Sequence, residues 1–174
     1  MKLLLIFDSG LAGAGGKSNP NCELTAKKGM IGTGEMLAPH FNKIGGTVIA
    51  TLYCGVEYFK DHQDEVVKKM TAMAKKLSPD FVVCGPGFNF PEYSEMCAMC
   101  ATSILENTDI KACAMMSQEN SATIETYRTK TPIVKMPKKG GTGLNSSIDN
   151  LCELIDASVN HPEKFEEVKN KYCY

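Results

Sequence analysis

Eight thiols could carry redox or nucleophilic chemistry in this chain: Cys22, Cys54, Cys84, Cys97, Cys100, Cys113, Cys152 and Cys173. Cys97-Ala98-Met99-Cys100 has the spacing of a dithiol redox pair, in which one sulfur must ionise readily to attack a disulfide. Tyr93, Cys97, Cys100 and Ile104 also share one helical stripe, so the same spacing serves core packing, the favoured reading. The pair lies more than a turn beyond Pro91, where the helix dipole that would lower a thiol pKa fades. No second pair stands at zinc-ligand spacing, and no metal is expected. Cys84 and Cys113 fall inside apolar runs, where a thiol acts as a small hydrophobe.

Glycine-rich loops are the second resource. Gly10-Leu11-Ala12-Gly13-Ala14-Gly15-Gly16-Lys17-Ser18 ends like a phosphate-binding loop, but its first glycine is one residue too early. Asn19-Pro20 follows where that motif needs an unbroken helix. A loop folded over a small ligand, or a flexible turn, are the better readings. Gly32-Thr33-Gly34 and Lys138-Lys139-Gly140-Gly141-Thr142-Gly143 could each offer N–H groups to an anion, or form plain loops. Gly85-Pro86-Gly87-Phe88-Asn89-Phe90 forces an irregular backbone directly after an apolar run, which frees Asn89 to present its amide or cap a helix. His40, His62 and His161 have no evident triad partner and are expected on the surface.

These loops need elements to hold them. Five short apolar runs read as strands buried on both faces: 2–8, 47–54, 81–84, 111–116 and 133–136. Helical patterns are expected at 35–43, 58–77, 91–106, 121–128 and 144–158. A C-terminal helix is expected within 160–174, where Pro162 and Glu163 mark its start. Strands alternating with helices predict one α/β domain over residues 1–174, with three layers around a mainly parallel, about five-stranded sheet, flavodoxin-like or Rossmann-like. Such sheets bind ligands beyond the carboxyl ends of their strands. The loops after Asp8, Cys54, Cys84, Met116 and Met136 are therefore the expected site.

Composition narrows the partners. Nineteen basic and twenty acidic side chains in 174 residues leave a net charge of −1. That balance offers no electrostatic footprint for a phosphate backbone, so no nucleic-acid partner is expected. The apolar start at Leu3 stops at Asp8, too short for a signal peptide, and nothing approaches a membrane span. A cytoplasmic, reducing setting, such as an anaerobic cytosol, fits eight cysteines and ten methionines.

Taken in order, several stretches resemble the component B selenoprotein family of glycine, sarcosine and betaine reductases. They are Gly13 with Gly15-Gly16, Gly32 and Gly34, Thr51-Leu52-Tyr53-Cys54-Gly55 with Tyr58-Phe59, and Pro79-Asp80 through Cys84-Gly85-Pro86-Gly87-Phe88-Asn89 to Tyr93 and Cys97. Glu119-Asn120, Tyr127 and Ile133-Val134-Lys135 continue the match. The resemblance implies anaerobic amino-acid fermentation, with reductive cleavage of a C–N bond in a small amino-acid or amine substrate. A carboxymethyl group then passes to a selenoprotein carrier. In the family the redox-active selenocysteine or cysteine lies in a second half, downstream of everything matched here, so the likeness is to the amino-terminal half.

Four departures change charge or spacing, one being Val56, which replaces an aspartate after Cys54-Gly55. Lys17 and Ser18 stand where the family tends to be acidic, Pro91-Glu92 replaces a glycine–arginine pair, and Cys97 and Cys100 are one residue closer than the family's thiols. The resemblance implies substrate-binding positions at Gly15, Gly16, Cys54, Gly55, Gly85, Asn89, Tyr93, Glu119 and Asn120, with Cys54 and Cys97 as catalytic candidates. No cofactor is expected on this chain. A redox-active reductase subunit would supply the thiol or selenol. Two other readings stay open: a stand-alone small-ligand or carboxylate-binding module without catalysis, and a flavodoxin-like electron carrier. Against the last, Ser9 is nearly alone where a flavin-phosphate loop wants several hydroxyls.

Overall fold

Five consecutive apolar residues, Leu3 to Phe7, are each fully buried in strand β1 (Lys2–Asp8), which places that strand in the middle of a sheet covered on both sides. In the computed structural model, which describes residues 1–174, Leu4 and Ile6 join one core. Leu3, Leu5 and Phe7 join the other. Strict alternation of side chains across a strand divides one run between two layers.

The sheet has six strands, in the order β2-β3-β1-β4-β5-β6. Beside β1 on one side lies β3 (Thr47–Cys54), and on the other β4 (Phe81–Cys84), β5 (Lys111–Ser117) and β6 (Ile133–Met136), all parallel. Four of these runs have the expected bounds, and β5 extends one residue further. The sixth strand, β2 (Thr25–Lys28), pairs antiparallel with β3 from Thr25↔Tyr53 to Lys28↔Ala50. Its Thr-Ala-Lys-Lys sequence carries no apolar run, because an edge strand facing water needs none and lysines discourage further pairing. Counting only the parallel strands gives the flavodoxin-like order 2-1-3-4-5, with its switch point between β1 and β4.

One face is covered by α3 (Gln63–Leu77), α4 (Pro91–Asn107) and α5 (Ser121–Tyr127), which bury Val66, Met70, Met96, Cys100 and Ile124 against the sheet. The other carries α1 (Ala38–Lys43), α6 (Leu144–Asn160) and α7 (Phe165–Tyr172). The single helix expected over 58–77 is broken at His62 into α2 (Val56–Asp61) and α3. Nδ1 of His62 lies 2.9 Å from the Tyr58 carbonyl, its ring stacks on Tyr58, and its backbone N–H bonds to Phe59 instead. Helix α1 begins only at Ala38, with Pro39 in its first turn, after a tighter turn over Gly32–Leu37. The expected C-terminal helix is a short turn at Pro162–Lys164 followed by α7.

His40 departs from its surface expectation. It is 9% exposed, and its Nδ1 lies 2.7 Å from Asp149 Oδ1, tying α1 to α6. Asp149, distant in sequence, is the partner that makes burial of the imidazole affordable. No helix is long and apolar enough to cross a membrane.

Candidate functional site

Two cavities open at the carboxyl edge of the sheet. The larger, about 570 Å³, lies at the switch point, lined by Asp8 and Lys17 from the first loop, Glu57 from α2, and Phe90, Glu92 and Tyr93 from the start of α4. The smaller, about 360 Å³, lies between Phe88-Asn89-Phe90 and the Lys138–Gly141 loop. Phe90 lines both and is half exposed.

The first loop is stitched rather than floppy. The Asp8 carboxylate accepts the Leu11 N–H at 2.7 Å, and Thr33 N–H and Oγ1 both donate to the Leu11 carbonyl. Further on, the Pro20 carbonyl accepts the N–H groups of Glu57 and Tyr58, while Gly55 N–H donates to Cys22. The backbone approaches so closely that a Cβ on Gly55 would overlap the Pro20 carbonyl. Glu57, Tyr58 and Phe59, three of the first four N–H donors of α2, are thus bonded within the protein, the last to the Gly55 carbonyl. Gly16–Ser18 forms one tight turn and no helix follows it, so the phosphate-loop reading has no helix terminus to work with. Gly16 lines the switch-point cavity; Gly15 precedes it with φ +113°.

Asp8 is half-buried, and desolvation pushes its carboxyl up, partly offset by the N–H groups of Leu11 and Gly10. Tyr93 lines the cavity with its hydroxyl turned inward, donating at 3.0 Å to the Ile6 carbonyl. Cys54, directly after which Gly55 opens α2, is fully buried, and its thiol donates to Met96 Sδ at 3.5 Å. Burial pushes that thiol up to about 12, with Cys22 and Asp8 adding to the effect. Cys97 and Cys100 are also fully buried, and desolvation pushes both thiols up. Their shared stripe belongs to the α4 core.

The second wall is built around one carbonyl. Phe88 has φ +48°, an unusual conformation for a bulky residue. Its carbonyl accepts Ser117 N–H at 3.0 Å, Ser117 Oγ at 3.0 Å and Asn120 Nδ2 at 2.7 Å. Ser117 Oγ also lies 2.7 Å from Glu119 Oε2, and that carboxylate accepts the Lys139 N–H at 3.2 Å. Glu119 and Asn120 therefore sit behind the smaller cavity, fixing both of its walls, whereas Asn89 lines it. Gly85, at φ +130°, packs so tightly that a Cβ would stand 2.8 Å from the Met115 carbonyl. Sequence reasoning missed Asp8, Lys17, Glu57 and Glu92 as cavity residues. They come from the end of β1, the turn after it, α2 and the start of α4, which only the fold brings together, though Asp8 at a strand end was a signal of its own.

Of the expected positions, Gly16 and Tyr93 meet at the larger cavity, and Asn89 faces the smaller one. Cys54, Cys97 and Gly85 lie beneath them, fully buried or packed against backbone.

The sequence model described as glycine/sarcosine/betaine reductase selenoprotein B matches residues 1–174. A glycine reductase complex component B subunit gamma from Carboxydothermus hydrogenoformans is 30% identical over 140 residues, 80% of this chain and 32% of the relative. A sarcosine reductase complex component B subunit beta from Peptoclostridium acidaminophilum is 28% identical over 155 residues, 89% of this chain and 35% of the relative. The chain thus spans about a third of the length of the curated relatives it matches. No solved structure gives a significant match. With the family's sequence model covering every residue and the resembling motifs converging on one sheet edge, the chain belongs to the glycine/sarcosine/betaine reductase selenoprotein B family.

Proposed function

We propose that this chain binds a small amino acid or amine at the switch-point cavity for reductive C–N cleavage, with the redox thiol or selenol supplied by another polypeptide. The observation that carries this reading is the cavity's charge. Three carboxylates, Asp8, Glu57 and Glu92, line it with one cation, Lys17. A half-buried carboxylate whose lone pairs already take backbone N–H groups is a fixed anchor for an ammonium group. Lys17 is the cation available to the substrate carboxylate.

The departures noted in the sequence support this division. Lys17 stands where the family tends to be acidic and Glu92 where it carries arginine, and both line this cavity. Exchanging the two signs keeps a cation and an anion on opposite segments of the wall. The thiols support an external redox group: seven of eight are buried, and burial raises the pKa of the buried Cys54, Cys84, Cys97, Cys100 and Cys113. A thiol kept protonated is a poor nucleophile. Curated relatives are named as subunits of glycine and sarcosine reductase complexes, which supports a partner subunit.

The test is calorimetric titration of the reduced protein with glycine, sarcosine and betaine. One of the three is expected to bind, with at least tenfold weaker affinity in Asp8→Asn and in Lys17→Gln. Binding unaffected by both substitutions would overturn the site, and no binding of any amine would favour a non-catalytic module.

A further inference from the structure

We propose that the smaller cavity, between the β4–α4 and β6–α6 loops, is an anion-binding subsite for a carboxylate or phosphate group, with Lys138, Lys139 and Asn89 as its ligands. It is separate from the amine cavity and does not depend on that reading. All three residues line the same pocket of about 360 Å³. Neither lysine is engaged in any of the ion pairs the molecule forms, so both charges are free to face a ligand. No carboxylate lines this pocket, in contrast to the three in its neighbour.

The frame behind it is what distinguishes this pocket from a chance pair of surface lysines. Three donors converge on the Phe88 carbonyl and hold that residue at φ +48°, which turns the next residue, Asn89, to the cavity. Strain of this kind persists only where surrounding contacts over-determine it. The same network reaches the opposite wall. Glu119, bonded to Ser117, accepts the Lys139 N–H and so pins the lysine loop at its backbone while leaving its side chain uncommitted. One four-residue segment, Ser117 to Asn120, thereby sets the width of the gap between amide and cations. Ammonium groups and an amide N–H together match the oxygens of a carboxylate or phosphate. Phe88, Phe90, Met136 and Leu144 supply an apolar lining, which lowers the local dielectric around the anion.

Amide-resolved NMR titration at constant ionic strength tests this, with sodium phosphate in one arm and sodium acetate in the other. Saturable shifts are expected at Asn89 and at Lys138 to Gly141, and not at the exposed lysines of α3, Lys68 and Lys75. The double variant Lys138→Gln/Lys139→Gln should weaken that response at least tenfold, and Asn89→Ala several-fold. Asp8→Asn should leave it unchanged, which separates this site from the amine cavity. A response to phosphate alone, to acetate alone, or to both supports the subsite and says which anion it takes. Shifts no larger than those at Lys68 and Lys75, or a response indifferent to the double variant, would overturn it.

Discussion

Asp8 carries opposing demands at a single residue. Burial pushes its carboxyl above the ordinary carboxylate value, and only the Leu11 and Gly10 N–H groups pull it back. Because the folded-state value lies above the unfolded one, Asp8's contribution is fully present at a pH below the unfolded value. It is lost as the pH rises through the folded value. Ionised Asp8 therefore costs stability at neutral pH, a cost borne for binding. Asp8→Asn keeps an oxygen for the Leu11 N–H and is expected to melt at the same temperature or higher at pH 7, with the advantage vanishing in acid. Melting curves of the two proteins from pH 3 to 7 check this; a variant that melts lower at pH 7 would show that the carboxylate's hydrogen bonds outweigh its burial. The thiols make a second prediction. A value near 12 leaves roughly one Cys54 in 100,000 ionised at pH 7, and its sulfur is fully buried besides. Cys22 is the one cysteine with appreciable exposure. Iodoacetamide on the native protein should add one label, at Cys22, and eight after unfolding; mass spectrometry of the native adduct decides, and early labelling of Cys97 or Cys100 would revive the dithiol reading.

At the scale of elements, loops here are held by backbone contacts that tolerate no added atom. Gly55 is the sharpest case, because its Cα faces the Pro20 carbonyl that also satisfies the first N–H groups of α2. Gly55→Ala must push apart the segment at Pro20 and the start of α2, orphaning donors at a helix terminus. The expected cost is about 2–4 kcal/mol, in line with other large single-site effects from strain and lost helix-end hydrogen bonds, read as a lower denaturation midpoint at unchanged slope. A near-neutral result would show that the loop shifts freely. Helix α3 illustrates the opposite, an element written in its sequence. Val66, Met70 and Ala74 recur at four-residue spacing and are all buried, Asp64 and Glu65 sit in its first turn, and Lys75 and Lys76 in its last. What its sequence did not reveal was the start, since Tyr58 and Phe59 continue the apolar stripe across the break at His62. A side chain taking the Tyr58 carbonyl is a local competition that periodicity does not register.

For the molecule as a whole, continuous apolar runs determined the sheet. Runs such as Leu3 to Phe7 and Phe81 to Cys84 have no polar face, so they had to lie between two helical layers, and strand–helix alternation made the sheet parallel. The order of motifs along the chain likewise determined the family, since Cys54-Gly55, Gly85 to Asn89 and Glu119-Asn120 could be read without coordinates. The tertiary structure decided what alternation leaves silent. It placed β2 at the edge, where burial demands nothing of the sequence. It buried His40 on a partner more than a hundred residues away. It separated the expected site residues into those that line a cavity, Gly16, Tyr93 and Asn89, and those that build a frame, Glu119 and Asn120, which are joined to Phe88 only in the folded loops and with the help of Ser117. It also assembled Asp8, Lys17, Glu57 and Glu92 around one space. Apolar burial is a property of neighbours in sequence and is legible there; the charge of a cavity is a sum over segments that meet only when the strands are ordered.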